Sequence, residues 1–148
     1  DRSVSRGLGD VYKRQLRGTI AAGEVGRGMA FLKKYSQRRL LGDHVPYAIE
    51  AWPEGNQRHL SAESGLYCRI YTEGLFGIRP TGLRSFEITP RLPQEWEFAN
   101  LNRVRAFGAD FDIQVKRAGG SKLAVTIVNG KKTIKKTISE GQTITVRL

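Results

Sequence analysis

The hydrophobic pattern of this 148-residue chain changes period near Pro80, and this change limits the folds open to it. Before Pro80 the apolar residues recur every third or fourth position, as on one face of an α-helix. After it they alternate with polar residues, as in strands that bury one face. We therefore predict an α+β protein, with helices and their connecting loop over residues 16–79 and strands over residues 83–148.

Two helices are predicted in the first part. The first covers residues 29–41 and is followed by Gly42, a residue type that commonly ends helices. The second covers residues 61–76, with Ser61 as N-cap, Glu63 in the first turn and Gly77 as the stop. An i+4 stripe runs along this helix and needs further helices to pack against. It consists of Ala62, Leu66, Ile70 and Gly74, with Tyr67 and Tyr71 beside it.

About six short strands are predicted in the second part. The alternating residues begin with Phe86, Ile88 and Leu92, continue through 101–107, 111–115, 123–127 and 134–138, and end with Ile144, Val146 and Leu148. Between two of these strands, Asn129-Gly130 predicts a type I′ hairpin turn. Several short strands joined by such turns are typical of an antiparallel β-sandwich.

The net charge of +11 raises the question of nucleic-acid binding. The one dense cluster is Lys131, Lys132, Lys135 and Lys136, which lies in a threonine-rich strand with no interleaved aromatic residues to stack on bases. We favour protection of an exposed sheet edge by these lysines, ahead of contact with an acidic surface or polysaccharide. Nucleic acid is the least favoured partner, and we predict none.

Few residues suit redox or metal chemistry. The single cysteine, Cys68, lies mid-helix among apolar residues and is predicted to be a buried, unreactive thiol. No Cys/His cluster or phosphate-binding glycine pattern is present, so we expect no cofactor, although a structural Ca²⁺ in a larger parent protein stays open. No apolar run reaches membrane-spanning length, and no membrane partner is predicted.

Residues 1–15 differ from the remainder of the chain. They are rich in charge, are interrupted by glycine and show neither a helical nor a strand period. They resemble the translated read-through of a sequencing adapter, of the kind found at the ends of metagenomic sequences. We therefore set residues 1–15 apart as an artefactual or disordered leader.

The segment between the predicted helices, residues 42–60, is long for a connection and rich in aromatic and acidic residues. Glycoside hydrolysis uses two carboxyl groups that flank the scissile bond, while aromatic rings stack on sugars. The segment holds candidates for both functions. They are Tyr47, Glu50, Trp52, Glu54 and His59.

Four short sequences give the chain a family resemblance over roughly residues 40–148. They are YAIE (47–50), HLSA (59–62), GIRP (77–80) and FEITPRLP (86–93). In this order they resemble the end of an α-L-rhamnosidase-like, six-hairpin glycoside hydrolase. The resemblance implies that residues 16–80 are the last helices and loop of an (α/α)6 barrel, and that residues 81–148 form a C-terminal β-sandwich.

The resemblance also implies a site. Glu50 is the expected catalytic base, with Glu54 and Glu63 as alternatives because the family usually has an aromatic residue where this chain has Ile49. Tyr47, Trp52 and His59 are the expected substrate-binding residues.

The parent enzyme would cleave glycosidic bonds in poly- or oligosaccharides. It would be periplasmic or secreted, as such enzymes usually are, and its general acid would lie in the missing N-terminal part of the polypeptide. The chain by itself is expected to be inactive. The alternative is a non-catalytic β-sandwich module that binds carbohydrate or protein.

Overall fold

The computed structural model of the chain describes residues 8–39 and 61–148. The chain divides into two compact units, Asp1–Gly74 and Leu75–Leu148. The helices are α1 (Leu8–Ala21), α2 (Val25–Arg39) and α3 (Ser61–Arg69), which continues as a π-helix over Ile70–Leu75. The strands are β1 (Arg79–Gly82), β2 (Ser85–Ile88), β3 (Phe98–Ala106), β4 (Ala109–Arg117), β5 (Lys122–Asn129), β6 (Lys132–Ser139) and β7 (Ile144–Arg147).

Helix α1 is an element that the sequence did not predict. The expectation that residues 1–15 stand apart from the fold is wrong for residues 8–15, which are helical. Lys13 is only 1% exposed, and its Nζ lies 5.8 Å from the centroid of the Tyr35 ring. A lysine fits this position because its stem is apolar and its ammonium group is attracted to an aromatic face. The adapter origin of the segment stays a prediction.

Ile20 is the centre of the helical unit and lies against two glycines. A Cβ atom on Gly28 of α2 would come within 2.5 Å of Ile20 Cγ1, and one on Gly74 would lie 3.6 Å from Ile20 Cβ. Helix α2 starts at Val25 rather than at the predicted Met29, and Gly28 lies inside it, where the absence of a side chain lets Ile20 approach. Ile20 itself is fully buried. The prediction that Gly74 packs against another helix is confirmed.

Cys68 is exposed, so the prediction of a buried thiol is wrong. The inward face of α3 and the π-helix is formed by Tyr67, Ile70, Tyr71 and Gly74, and Ile70 is fully buried. Cys68 lies one position after Tyr67, about 100° further around the helix, and so falls outside this face.

Gly77 ends the helical segment, as predicted, and allows the chain to turn. It has a φ of 64°, and a Cβ atom there would lie 2.5 Å from the carbonyl oxygen of Thr89. The close approach exists because the Thr89 N–H donates to Phe76 O and the Arg91 N–H donates to Leu75 O. These bonds draw residues 89–91 out of the sheet, so that β2 ends at Ile88 rather than at the predicted Leu92.

The strands form two antiparallel sheets. One has the order β1-β2-β7 and the other the order β3-β4-β5-β6. Strand β1 was not predicted, and it includes Pro80, which is tolerated because β1 has only one neighbour in its sheet. The α+β class and the antiparallel pairing are thus confirmed, while the barrel and the sandwich stay predictions.

Stacked phenylalanine rings join the two sheets. The ring of Phe86 in β2 lies 5.4 Å from that of Phe111 in β4 and 4.9 Å from that of Phe107. Phe107 occupies the β3–β4 turn with a φ of 55°, which is unfavourable for a bulky side chain. Its stacking on Phe86 offsets this backbone strain, and the core continues through the alternating buried residues of β4 and β5.

The β5–β6 hairpin lies where it was predicted but has a different turn. Asn129 pairs with Lys132, so the two central residues are Gly130 and Lys131 rather than Asn129 and Gly130. Gly130 has a φ of 56°, and Lys131 has no positive φ. Glycine at the first central position is the arrangement of a type II′ turn, so the type I′ prediction is wrong.

The lysine-rich strand β6 is an edge of the four-stranded sheet, as the sequence predicted. The register pairs Lys136 with Val125, so Lys136 belongs to the inward-facing row of β6 together with Ile134 and Ile138. Charged residues at inward positions of an edge strand discourage pairing with another chain.

Arg117 connects the irregular segment 89–97 to the four-stranded sheet. Its guanidinium donates to the carbonyls of Trp96 (3.0 Å), Leu92 (3.0 Å) and Pro93 (2.8 Å). Its Nη1 also lies 3.5 Å from Glu140 Oε2, while Glu140 Oε1 accepts the Leu92 N–H at 2.8 Å. We call these contacts the Arg117 network.

We expect Gly77→Ala to lower the free energy of unfolding of the C-terminal unit by about 3 kcal/mol, through positive-φ strain and the clash with Thr89. Gly108 is the matched control, since it has a φ of 66° with no atom within 4 Å of an added Cβ. Gly108→Ala should cost only about 1 kcal/mol. Urea denaturation followed by circular dichroism measures both values, and equal costs would contradict the close approach at Thr89.

We expect Arg117→Lys to destabilise the same unit by about 2 kcal/mol, because one ammonium group cannot reach three carbonyls and a carboxylate in a planar fork. Arg105→Lys is the control, since the Arg105 side chain is 83% exposed and lies 3.7 Å from Asp110. Its cost should stay below about 0.5 kcal/mol. A similar small cost at both positions in urea denaturation would refute the importance of the Arg117 network.

Candidate functional site

Three hydroxyl groups form a row in the helical unit. Ser36 Oγ lies 2.8 Å from Tyr67 Oη, which lies 3.0 Å from Tyr71 Oη. Ser36 donates its single proton to the carbonyl of Leu32, one turn earlier in α2, at 2.7 Å. Tyr67 must therefore donate to Ser36, and Tyr71 must donate to Tyr67. The Tyr71 oxygen thus ends the row with its acceptor capacity unused by these partners.

The tyrosine rings form a continuous aromatic surface beside these hydroxyls. The Tyr35 and Tyr67 rings are stacked with centroids 6.1 Å apart, and the Tyr67 and Tyr71 rings meet edge to face at 5.6 Å. Tyr67 and Tyr71 are neighbours because they stand four residues apart on one helix face. All three side chains are half-buried. We call Tyr35, Ser36, Tyr67 and Tyr71 the tyrosine cluster.

Burial determines the protonation of Tyr71. Desolvation, followed by the hydrogen bond to Tyr67, raises the pKa of the Tyr71 phenol well above its usual value near 10. The hydroxyl therefore remains neutral over the whole physiological range. Because its single proton is donated to Tyr67, the Tyr71 oxygen can accept a hydrogen bond from a hydroxylated ligand.

Two arginines hold Glu73 at the π-helix. Arg17 Nη1 of α1 donates to Glu73 Oε2 at 2.6 Å, and Arg69, four residues before Glu73, also pairs with it. The hydrogen bond and the charge of Glu73 raise the pKa of Arg69. With both carboxylate oxygens engaged, Glu73 joins α1 to the π-helix and is a structural group. A π-helix in this position is itself informative, since such segments are frequent at functional sites.

Of the predicted site residues, one lies within the described part of the chain. Glu63 lies in the first turn of α3, four residues before Tyr67 and eight before Tyr71. The backbone register therefore places it in the same helix row as the two tyrosines. The other predicted residues lie outside the described residues. They are Tyr47, Glu50, Trp52, Glu54 and His59.

The described residues include no group of three or more His, Cys, Asp or Glu side chains placed to hold a metal ion. In the same part of the chain, no helix is long and apolar enough to span a membrane.

The sequence predicted that Tyr67 and Tyr71 lie together, but it did not predict that Tyr35 and Ser36 join them. The i+4 spacing of Tyr67 and Tyr71 predicted that they share a face. Nothing local indicates that Ser36, 31 residues before Tyr67, completes the hydroxyl row, or that Arg17, 56 residues before Glu73, pairs with it. Both contacts depend on the way α1 and α2 pack against α3 and the π-helix.

The chain was compared with known proteins, and no family model, no curated protein and no solved structure matches it.

We expect the stability of the helical unit to fall above about pH 10, where a tyrosine ionises in the unfolded chain while Tyr71 remains protonated in the folded one. Below that pH the contribution of Tyr71 is fully present, because both states then hold the proton. Thermal melts at pH 8, 9, 10 and 11 measure the effect in the wild type and in Tyr71→Phe. The variant should lose less stability on the alkaline side, and parallel curves would contradict the buried, raised-pKa phenol.

Proposed function

We propose that this chain is the C-terminal part of a glycoside hydrolase that cleaves glycosidic bonds in poly- or oligosaccharides. The observation that supports the proposal best is the tyrosine cluster, whose Tyr67 and Tyr71 follow Glu63 in sequence at intervals of four residues. Aromatic faces and neutral hydroxyl groups are what a sugar-binding site needs, because sugars offer apolar ring faces edged with hydroxyls.

The order of elements supports the same assignment. The π-helix that continues α3 ends at Leu75, residues 76–78 lead into β1 at Arg79, and two antiparallel sheets follow. This order is what the resemblance to α-L-rhamnosidase-like, six-hairpin enzymes implies. In this proposal the helical unit is the end of an (α/α)6 barrel, and the two sheets, joined by the Phe86–Phe111 contact, are the C-terminal β-sandwich.

The proposed roles are those of a hydrolase with two carboxyl groups. Glu50 is the proposed base that activates water, Glu54 and Glu63 are the alternatives, and the general acid belongs to the barrel helices that precede this segment. Tyr47, Trp52 and His59 bind the substrate in this proposal. The place of Glu63 on α3, four residues before Tyr67, supports keeping it as an alternative base, whereas the arginine-bound Glu73 is not a candidate.

Two consequences follow from the proposal. The chain is inactive by itself in this proposal, because the proposed general acid belongs to barrel helices outside residues 1–148. The parent enzyme is periplasmic or secreted, where polysaccharides are met.

We expect Glu50→Gln in the parent enzyme to lower kcat by about 10²–10⁴-fold with little change in KM, because an amide preserves shape but cannot accept a proton. The test requires the complete coding sequence from the source DNA, expression of the parent and a screen on aryl glycosides. Glu54→Gln and Glu63→Gln are measured in parallel, and Glu73→Gln serves as a structural control that should reduce stability more than kcat.

The comparison among the variants determines the assignment. If Glu50→Gln has a normal kcat and Glu63→Gln has a greatly reduced kcat, the base is Glu63 in α3 rather than Glu50. Full activity in all three carboxamide variants, or an upstream sequence that does not encode helical hairpins, would contradict the proposal.

A further inference from the structure

The outward face of the four-stranded sheet has three lysines on three adjacent strands. Strand β4 buries Phe111, Ile113 and Val115 and exposes the residues between them, including Lys116. The register places Lys116 opposite Ala124, Lys122 opposite Ser139, and Lys135 opposite Thr126, all on the outward side. All three lysines are exposed. We call Lys116, Lys122 and Lys135 the lysine face.

Edge protection does not explain this arrangement. It accounts for lysines on β6, the edge strand, and therefore for Lys135. Lys116 and Lys122 lie on β4 and β5, which have neighbours on both sides in the strand order β3-β4-β5-β6. Their charges do not protect an edge, so a second reason is needed for their positions.

Positive charges outnumber negative charges on this face. The segment 122–139, which includes β5 and β6, contains five lysines and no acidic residue. Two carboxylates share the outward row of β4: Asp110 lies 3.7 Å from Arg105 Nε, and Asp112 Oδ1 accepts the Arg103 backbone N–H at 2.6 Å, which leaves the Asp112 charge in place. With three lysines against Asp112, the lysine face keeps a net positive charge for an anionic ligand.

Neutral hydrogen-bonding groups lie between the lysines. One row across the four strands pairs Asn100 with Gln114, Gln114 with Thr126, and Thr126 with Lys135. Amide and hydroxyl groups in such a row can both donate to and accept from sugar hydroxyls. Neighbouring strands are about 4.8 Å apart, so the row extends over roughly 14 Å, the scale of a few sugar units.

We propose that the lysine face binds an anionic polysaccharide whose carboxylates, as in a uronate polymer, pair with Lys116, Lys122 and Lys135. The amide and hydroxyl row then holds the neutral hydroxyls of the same chain. Nucleic acid fits less well, because binding a single strand relies on several stacking aromatics and Phe98 is the one aromatic residue in the outward rows of this sheet. The class of ligand rests on the proposed function, whereas the face itself is argued from charge and register.

The test measures the dissociation constant of the purified 148-residue chain for polygalacturonate by isothermal titration calorimetry at about 50 mM salt. The triple variant Lys116→Gln, Lys122→Gln, Lys135→Gln should bind roughly tenfold more weakly or worse. The control removes the same three charges from exposed positions of α2, as Arg27→Gln, Lys33→Gln, Lys34→Gln, and should bind within about twofold of the wild type. Circular dichroism establishes that both variants are folded.

A second variant separates glycan recognition from simple charge attraction. Asn100→Ala with Gln114→Ala leaves the net charge unchanged and should still weaken polygalacturonate binding several-fold. Equal weakening in the two triple variants, no effect of the amide double variant, or tighter binding of a single-stranded oligonucleotide than of polygalacturonate would overturn the proposal. These outcomes are independent of turnover by the parent enzyme, so this proposal can fail while the hydrolase proposal stands.

Discussion

The C-terminal unit depends on one arginine. Arg117 lies at the end of β4, and its guanidinium binds three carbonyls of the irregular segment that links the two sheets, together with Glu140 from the β6–β7 turn. Backbone carbonyls in such a segment have no strand partners, and leaving them without hydrogen bonds would cost more than any one contact gains. Arg117 satisfies the carbonyls of Leu92 and Trp96 from a single side chain, and adds a second bond at Pro93 O, which also accepts the Trp96 N–H. It thereby fixes the path of the chain from β2 to β3 and determines where the second sheet begins.

In the helical unit, the helices pack closely because glycines lie at their contacts. Ile20 lies against Gly28 and Gly74, which have no side chains to hold the helices apart. This proximity brings Arg17 to Glu73 and Ser36 to Tyr67, and so completes both the ion pair at the π-helix and the hydroxyl row. The tyrosine cluster is thus a consequence of packing between small residues. A neutral Tyr71 at the end of the row, whose pKa is raised further by burial, is suited to accepting a hydrogen bond from a hydroxyl group.

The two proposals concern different units and different kinds of contact. In the helical unit, aromatic rings and neutral hydroxyls lie together in the tyrosine cluster, an arrangement suited to a sugar. In the sheet, lysines and amides are spread over an exposed, regular surface, an arrangement suited to a longer anionic chain. Both proposals describe recognition of glycans, the first by apolar faces and hydroxyl groups and the second by charge.

The sequence by itself determined the α+β class, the change from helix to strand near Pro80, the stop at Gly77 and the edge position of the lysine strand, because periodicity and glycine positions report local backbone geometry. The predictions from the sequence were wrong for the burial of Cys68 and for the structure of residues 8–15, because both depend on what the segment packs against. They were also wrong for the turn residues at Gly130, because the pairing of β5 with β6 is shifted by one residue from the predicted pairing. Only the tertiary structure decided that Ser36 joins Tyr67 and Tyr71, that Arg117 binds the segment 92–96, and that Lys116, Lys122 and Lys135 share one face. Contacts between residues far apart in sequence leave no local pattern, since they arise from packing and strand register rather than from backbone preference.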